Sequence, residues 1–335
     1  MSGKKAFSLF SGGLDSILAT RLIMDQGIEV VGLHFITPFF GYQHKGREAE
    51  QVEKWQRLYG ISARIIDVSE EYIQILRHPR YGFGRNFNPC IDCKIFLFSH
   101  AKKIMEAEGG DFLISGEILG QRPMSQRKDA LRIVERDSGT EGILLRPLCA
   151  KNLKPTRPEL MGLVDREKLL ALSGRSRKPQ LKLAAEMGIR NFPTPAGGCY
   201  LTDPMLAKRF QSYFATQAEI SISDLLLLMV GRHFRLSAGA RLVVGRREGE
   251  NEELLNLKQE GDLILKLQGI PGPLGLVRGE IGEKDLQLAA AIIARYSKAR
   301  SRPHVSVVYG SNLENLKSFL IVKPAQDDEI DPWRC

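Results

Sequence analysis

A short apolar run, Ala6 to Phe10, leads without a break into Ser11-Gly12-Gly13-Leu14-Asp15-Ser16, and a helical pattern, Ile17 to Met24, follows at once. A strand, a Ser/Gly turn and a helix opening make a cradle for phosphate. The N–H groups at a helix start point outward, and the helix dipole adds partial positive charge. Two glycines let the backbone come close to the anion. The lysine of a Walker-type loop is absent, so the segment is not a kinase or GTPase signature.

The same alternation continues along the chain. Strand patterns at Lys4–Phe10, Glu29–Phe35, Ala63–Val68 and Phe112–Ser115 enclose helical patterns at Ser16–Gln26, Gly46–Tyr59 and Asp92–Glu108. This order predicts an α/β fold with a doubly wound parallel sheet and helices on both faces. Ligands of such sheets sit beyond the carboxyl ends of the strands. The 11–16 loop, the segment after His34, the segment after Asp67 and Gly116-Glu117 all follow strands, so all are expected at one crevice.

At 335 residues, 43% hydrophobic and 26% charged, the chain has material for two domains with sizeable cores. No apolar run reaches the ~20 residues needed to span a bilayer, and the apolar stretch after Lys4 and Lys5 is too short for a signal peptide. A cytoplasmic address without a membrane partner is expected. After Arg146 prolines punctuate short helical patterns, Arg166–Leu172, Pro179–Met187 and Ser223–Val230. From Lys151 to Lys182 nine Lys/Arg stand against three acids, a net +6, which suits a polyanion. Beyond Gly231 come short strands, Ala240–Val244, Asp262–Leu267, Leu274–Arg278 and Val305–Val308, with a helix at Leu286–Ser297. The expected domains are residues 1–150 for nucleotide, 151–230 as a mainly helical basic segment and 231–326 as a separate α+β domain, followed by a loose acidic tail, 327–335.

Five cysteines in a chain of this kind point to metal or redox chemistry rather than a disulfide framework. Cys90 and Cys93 form a C-x-x-C, with Cys90 expected in a loop after Pro89 and Cys93 near a helix start that would stabilise its thiolate. Cys199 follows Thr194-Pro195-Ala196-Gly197-Gly198, which reads as a loop. Three such thiolates suit an iron–sulfur cluster with one iron left open. A redox pair, or unrelated buried thiols, remain alternatives on spacing alone.

Several of these segments resemble known families. Ser-Gly-Gly-Leu-Asp-Ser resembles the pyrophosphate loop of the ATP pyrophosphatase (PP-loop) superfamily, whose members split ATP to AMP and pyrophosphate and so activate a carbonyl oxygen. The resemblance implies an ATP site at Ser11, Gly12, Gly13, Leu14, Asp15 and Ser16, with Leu33-His34-Phe35 supporting the adenine. Asn88-Pro89-Cys90-Ile91-Asp92-Cys93-Lys94, followed by Ile95 to Phe98, resembles the cysteine segment of tRNA-specific 2-thiouridylases. Those enzymes pair the cysteine matching Cys93 with a second one, here matched by Cys199. Their usual aspartate is replaced by Cys90, a form more similar to the cluster-dependent tRNA thiolation enzymes, which hold a [4Fe-4S] cluster by three cysteines. Val244-Gly245-Arg246, Glu250-Asn251-Glu252, Gly261-Asp262 and Gly269-Ile270-Pro271-Gly272-Pro273 are similar to the R domain of NFACT proteins, which implies RNA binding.

The resulting expectation is an ATP-dependent sulfurtransferase acting on a uridine of tRNA or another RNA. Cys93, Cys199 and Asp15 would be catalytic, and Cys90, Cys93 and Cys199 would hold the cluster. Lys151, Lys154, Arg175, Arg177 and Lys178 would grip RNA. Asp15 reads either as a Mg²⁺ ligand or as a helix cap, and Gly116 and Glu117 as part of the nucleotide crevice. Sulfur would come from sulfide or a sulfur-carrier protein. The alternatives are a persulfide relay between Cys93 and Cys199, another PP-loop ligase or amidotransferase, and a non-catalytic RNA- or ribosome-binding adaptor. Arg122 and Ser125 read as phosphate or RNA contacts or as a positioned loop, Cys149 as a buried thiol and Trp55 as core.

Overall fold

The computed structural model describes residues 4–193, 199–237 and 239–335, which divide into two compact units, Met1–Ala207 and Lys208–Cys335. The segment expected as a loop over residues 194–198 lies outside the described residues.

In the first unit the strands are β1 (Lys5–Leu9), β2 (Glu29–Ile36), β3 (Ser62–Asp67), β4 (Phe112–Ser115) and β5 (Leu144–Leu145). They form one parallel sheet in the order β3-β2-β1-β4-β5. Its central strand is buried on both sides at Ala6, Phe7 and Ser8, with the Ser8 hydroxyl bonded to Thr20 Oγ1 at 2.7 Å, as a strand covered on two faces requires. Between the strands run α1 (Leu14–Met24), α2 (Glu48–Tyr59), α3 (Ser69–Arg77), α4 (Cys90–Ala107) and α5 (Lys128–Ser138). Phe10, Ile17, Trp55, Tyr59, Ile114 and Leu145 build the core on one face, and Phe7, Leu33, Phe35, Phe98, Met105 and Leu113 build it on the other. Chain order runs outward from β1 to β3 and then returns to β4 on the other side of β1. The switch point, where such sheets bind ligands, is therefore the gap between the ends of β1 and β4. Gly116 lets those ends meet: a Cβ there would lie 2.6 Å from the Asp15 carbonyl carbon and 2.7 Å from Ser16 N.

The basic segment holds α6 (Arg157–Leu160) and α7 (Lys178–Glu186). The helix expected over Arg166–Leu172 does not form. Asp165 caps Glu167 N at 3.0 Å and closes only a single 3₁₀ turn, Arg166–Lys168. Leu170 N and Leu172 N then bond outward to Pro147 O and Leu148 O. The division between the units falls within α8 (Pro204–Thr216).

After the rest of α8 the second unit holds α9 (Ile222–Met229), β6 (Arg232–Arg235), β7 (Arg241–Val244), α10 (Glu248–Asn256), β8 (Leu263–Leu267) and β9 (Gly275–Arg278). It ends with α11 (Glu283–Arg295), β10 (Val305–Gly310), β11 (Ser318–Val322) and α12 (Asp327–Ile330). Its antiparallel sheet has the order β11-β10-β8-β9-β7-β6. The expected α+β class holds. The loose tail does not: Ile330 is fully buried, Arg334 bridges to Phe234, and Cys335 N bonds to His233 O at 3.0 Å. Trp333 packs on the same core and Arg295 pairs with Asp327, so the acidic run is docked.

Gly116→Ala tests the close approach that defines the crevice. Overpacking against backbone cannot relax by a rotamer change, so the variant should lose about 1–3 kcal/mol. Urea unfolding at 25 °C would measure it, and an unchanged midpoint would contradict the packing described.

Candidate active site

The 11–16 loop leaves β1 with Gly12 in the left-handed region, φ 73°, packed so closely that a Cβ would touch the Trp55 indole at 3.4 Å. Gly13 caps α1 in extended conformation and supplies no side-chain cap. The first N–H groups of α1 are thus left to a ligand rather than satisfied internally. Ser16 Oγ donates to Gly13 O at 2.8 Å and Ser11 Oγ to Ser16 Oγ at 3.2 Å, which braces the turn. Asp15 is divided in its use. Its Oδ2 accepts from Gln121 Nε2 at 3.0 Å, while Oδ1 is buried without a partner among the described residues.

Of the three β2 residues, Leu33 and Phe35 are core against the α4 side. His34 faces the loop. Its Nδ1 lies 2.8 Å from Phe10 O, its ring sits 4.7 Å from Trp55 and 5.3 Å from His44, and its Nε2 is buried without a partner. Burial pushes His34 down to about 4, with the Phe10 carbonyl opposing, so the ring is neutral at pH 7. Trp55, which reads as core, is 4% exposed.

Glu117 follows Gly116 at the same edge and is held between two cations. Lys94 Nζ pairs with Oε1, and Arg146 Nε donates to Oε2 at 2.9 Å. Arg146 also pairs with Glu135, and Lys94 Nζ reaches Ser125 O at 3.4 Å. Burial alone would raise the Glu117 carboxyl, but Lys94 and Arg146 overcome it and hold the carboxyl down at about 2. Cys149, buried as expected, donates its thiol to Glu117 O at 3.3 Å.

Lys94 adjoins the thiols in sequence. Cys90 is the first residue of α4 rather than a loop residue, because Cys93 N already bonds to Pro89 O at 2.8 Å. Cys199 is brought to this helix start by two hydrogen bonds. Phe87 N donates to Leu201 O at 3.1 Å, and Asn86 Nδ2 donates to Thr202 O at 2.7 Å. Asn86 holds φ 59°, the single non-glycine residue in the left-handed region among those described. The fully buried Tyr72 hydroxyl has the thiols of Cys93, Cys199 and Cys90 as its electrostatic neighbours. Among the described residues no three His, Cys, Asp or Glu side chains converge tightly enough to chelate a single metal ion. Ligands of different irons in a cluster stand further apart than ligands of one ion, so the thiols remain a donor set of the right chemistry.

The expected thiolate stabilisation at Cys93 is reversed. Burial pushes this thiol up to about 12, Cys90 and Cys199 add to the rise, and Tyr72 and Lys94 only partly offset it. Cys199 rises to about 11 by burial, with Arg122 nearby acting against the shift. Of the basic residues, Lys151 is spent on Glu167 at 3.1 Å. Lys154, Arg175, Arg177 and Lys178 pair with no carboxylate among the described residues. Ser173 and Gly174 are joined to Leu119 by a bridge and a 2.9 Å hydrogen bond. Sequence reasoning missed the role of Gln121, the Lys94–Glu117–Arg146 network and Tyr72. Only the position of Glu117 and Arg146 just past strand ends signalled the network.

Residues 1–154 match the family described as "Thiamine biosynthesis protein (ThiI)", and residues 231–334 match "NFACT protein RNA binding domain". A "Probable tRNA sulfurtransferase" of Thermococcus kodakarensis is 30% identical over 40% of this chain and 34% of its own length. A "tRNA-specific 2-thiouridylase MnmA" of Petrotoga mobilis is 31% identical over 36% of each chain. A "tRNA sulfurtransferase" of Desulfurococcus amylolyticus is 28% identical over 44% of this chain and 30% of its own. The chain thus spans about a third of the length of these curated relatives. The PP-loop and NFACT-R resemblances both hold at family level, and the named relatives are tRNA sulfur-transfer proteins. Among the described residues no helix is long and apolar enough to cross a membrane.

Two measurements probe the site's electrostatics. A carboxyl held below its ordinary 4.5 contributes stability above that pH and loses it as pH falls through about 2. Glu117→Gln should therefore flatten the acid limb of a stability–pH curve over that window. At pH 7 it should lose about 3–5 kcal/mol, because Lys94 is left without a carboxylate and buried Arg146 keeps only Glu135; a wild-type-like curve would contradict this. In alkylation of metal-free protein at pH 7.5, read by mass spectrometry, exposed Cys335 should be modified well before Cys93, Cys199 and buried Cys149. Early labelling of Cys93 would overturn the burial argument.

Proposed function

We propose that the chain is an ATP-dependent tRNA sulfurtransferase that replaces a uridine carbonyl oxygen by sulfur. The observation carrying this reading is the shared edge of the first unit's sheet. The ligand-ready 11–16 loop touches Gly116, and the next residue, Glu117, is ion-paired to Lys94 beside Cys93.

The α1 N–H groups and the serine-braced turn would take the ATP phosphates, and the unpartnered Oδ1 of Asp15 would hold a Mg²⁺ ion that offsets their charge. The buried, neutral His34 and the Trp55 ring offer an uncharged wall suited to adenine. The uridine oxygen attacks the α-phosphate and pyrophosphate leaves. Sulfur then bonds to the activated carbon as the C–O bond breaks, and the oxygen departs with AMP. The Cys93 and Cys199 thiols resist ionisation, so a cationic centre is what would make them, with Cys90, good donors together; a [4Fe-4S] cluster held by the three would supply an open iron to carry sulfide. The raised Cys93 thiol weighs against a persulfide relay starting from an unassisted Cys93. Lys154, Arg175, Arg177 and Lys178 would meet the RNA backbone.

Anaerobically purified protein, incubated with unmodified tRNA, ATP and sulfide, tests the reading by nucleoside mass spectrometry. A thionucleoside should form only with ATP, and bound iron and acid-labile sulfide should accompany activity. Cys93→Ser should abolish thionucleoside while ATP–pyrophosphate exchange persists, and Asp15→Asn should abolish both. Full activity in all three Cys→Ala variants would contradict the proposal.

A further inference from the structure

The C-terminal sheet is covered unevenly. On one face α11 packs over Leu265, Leu267, Val305, Val307 and Val322. On the other, Leu227 of α9 and Leu254 of α10 cover Val243, Ile264 and Leu276, which closes the β7, β9 and near-β8 part. Over β10 and β11 that second face is open. Alternation along β11 puts Phe319 and Ile321 on it together, and Lys317 and Lys323 flank the two ends of the strand. Phe319 and Ile321 are 62% and 65% exposed, and both lysines are exposed. In register, Phe319 stands beside Val308 and Val308 beside Lys266, while Ile321 stands beside Ser306. No carboxylate occupies these positions. At the rim lies a cavity of about 470 Å³, lined by Lys266, Gln268, Gly269, Ile270, Pro271 and Val308, so the Gly-Ile-Pro-Gly segment of the sequence forms one of its walls.

We propose that this open face is a platform for single-stranded RNA. Phe319 stacks a base, Lys317 and Lys323 meet the flanking phosphates, and the cavity beside Lys266 takes an adjoining nucleotide. An aromatic ring among lysines on a carboxylate-free sheet matches how unpaired bases are held. A second copy of the chain fits less well. Antiparallel pairing of two β11 strands about Leu320 would set each Lys317 against the other copy's Lys323, and edge lysines oppose such pairing. The inference rests on the reading of the chain as an RNA-acting protein and adds a single-strand surface in the second unit to the basic residues that reading names.

The test uses the full chain, a fluorescently labelled oligouridine and anisotropy across a salt series. Phe319→Ala should weaken binding about tenfold, Phe319→Tyr should restore it, and melting should not move because the ring is exposed. Replacing Lys317 and Lys323 by Ser should lower the slope of log affinity against log salt by about 1.4. A 5-iodouridine oligonucleotide should crosslink to the peptide carrying Phe319. If wild type binds but the variants bind equally and the crosslinks lie elsewhere, the platform falls while the RNA-acting reading stands. If wild type binds no RNA, both fall. If wild type self-associates and Phe319→Ala abolishes only that, the face is an interface between copies and the proposal is overturned.

Discussion

The Glu117 carboxylate, closed between Lys94 and Arg146, is the interaction on which the candidate site depends. It stands one residue past Gly116, where β4 presses against the first turn of α1. Lys94 comes from the start of α4, Arg146 from just after β5, and Arg146 reaches on to Glu135 of α5. One buried anion thus fixes two strand ends and two helices. Such a network gives little net stability over an apolar core, but removing one member leaves uncompensated charge. Its value here is positional: it sets the thiol-bearing helix start against the phosphate loop.

Burial then divides the chemistry of the crevice. At the loop, polar capacity is left unfilled: the start of α1 has no side-chain cap, and Asp15 Oδ1 and His34 Nε2 are buried without a hydrogen-bond partner among the described residues. At the thiols, burial suppresses charge, and Cys93 and Cys199 are held as thiols well above neutral pH. An anionic ligand suits the first environment and a cationic centre suits the second. Between them runs the 119–126 segment, with Gln121 on Asp15, Arg122 near Cys199 and Ser125 on Lys94.

Much of this was legible in the chain. The parallel sheet followed from strand–helix alternation, and the loop from two glycines at a strand-to-helix turn. What failed was local reading overridden by tertiary contact. The expected helix start near Cys93 suggested a lowered thiol pKa, but desolvation by the surrounding core is invisible to spacing. The apolar positions of 166–172 fit a helix, yet backbone partners at Pro147 and Leu148 drew them into extended chain. The tail looked solvated by charge count, yet Ile330, Trp333 and backbone bonds at Arg334 and Cys335 dock it. The Gln121–Asp15 contact joins residues 106 apart and left no mark in any short window.

The second unit carries its own clasp, Arg278 bound to Asp262 and Asp224 at 2.8 and 2.9 Å, which does not involve Glu117. That independence gives the central claim an internal control. Amide hydrogen exchange of Glu117→Gln against wild type, read by mass spectrometry under native conditions, tests it most directly. Exchange should rise together over the starts of α1 and α4 while α11 keeps its protection. A rise at one helix start alone, or at neither, would contradict the account that a single buried carboxylate ties the thiols to the phosphate loop.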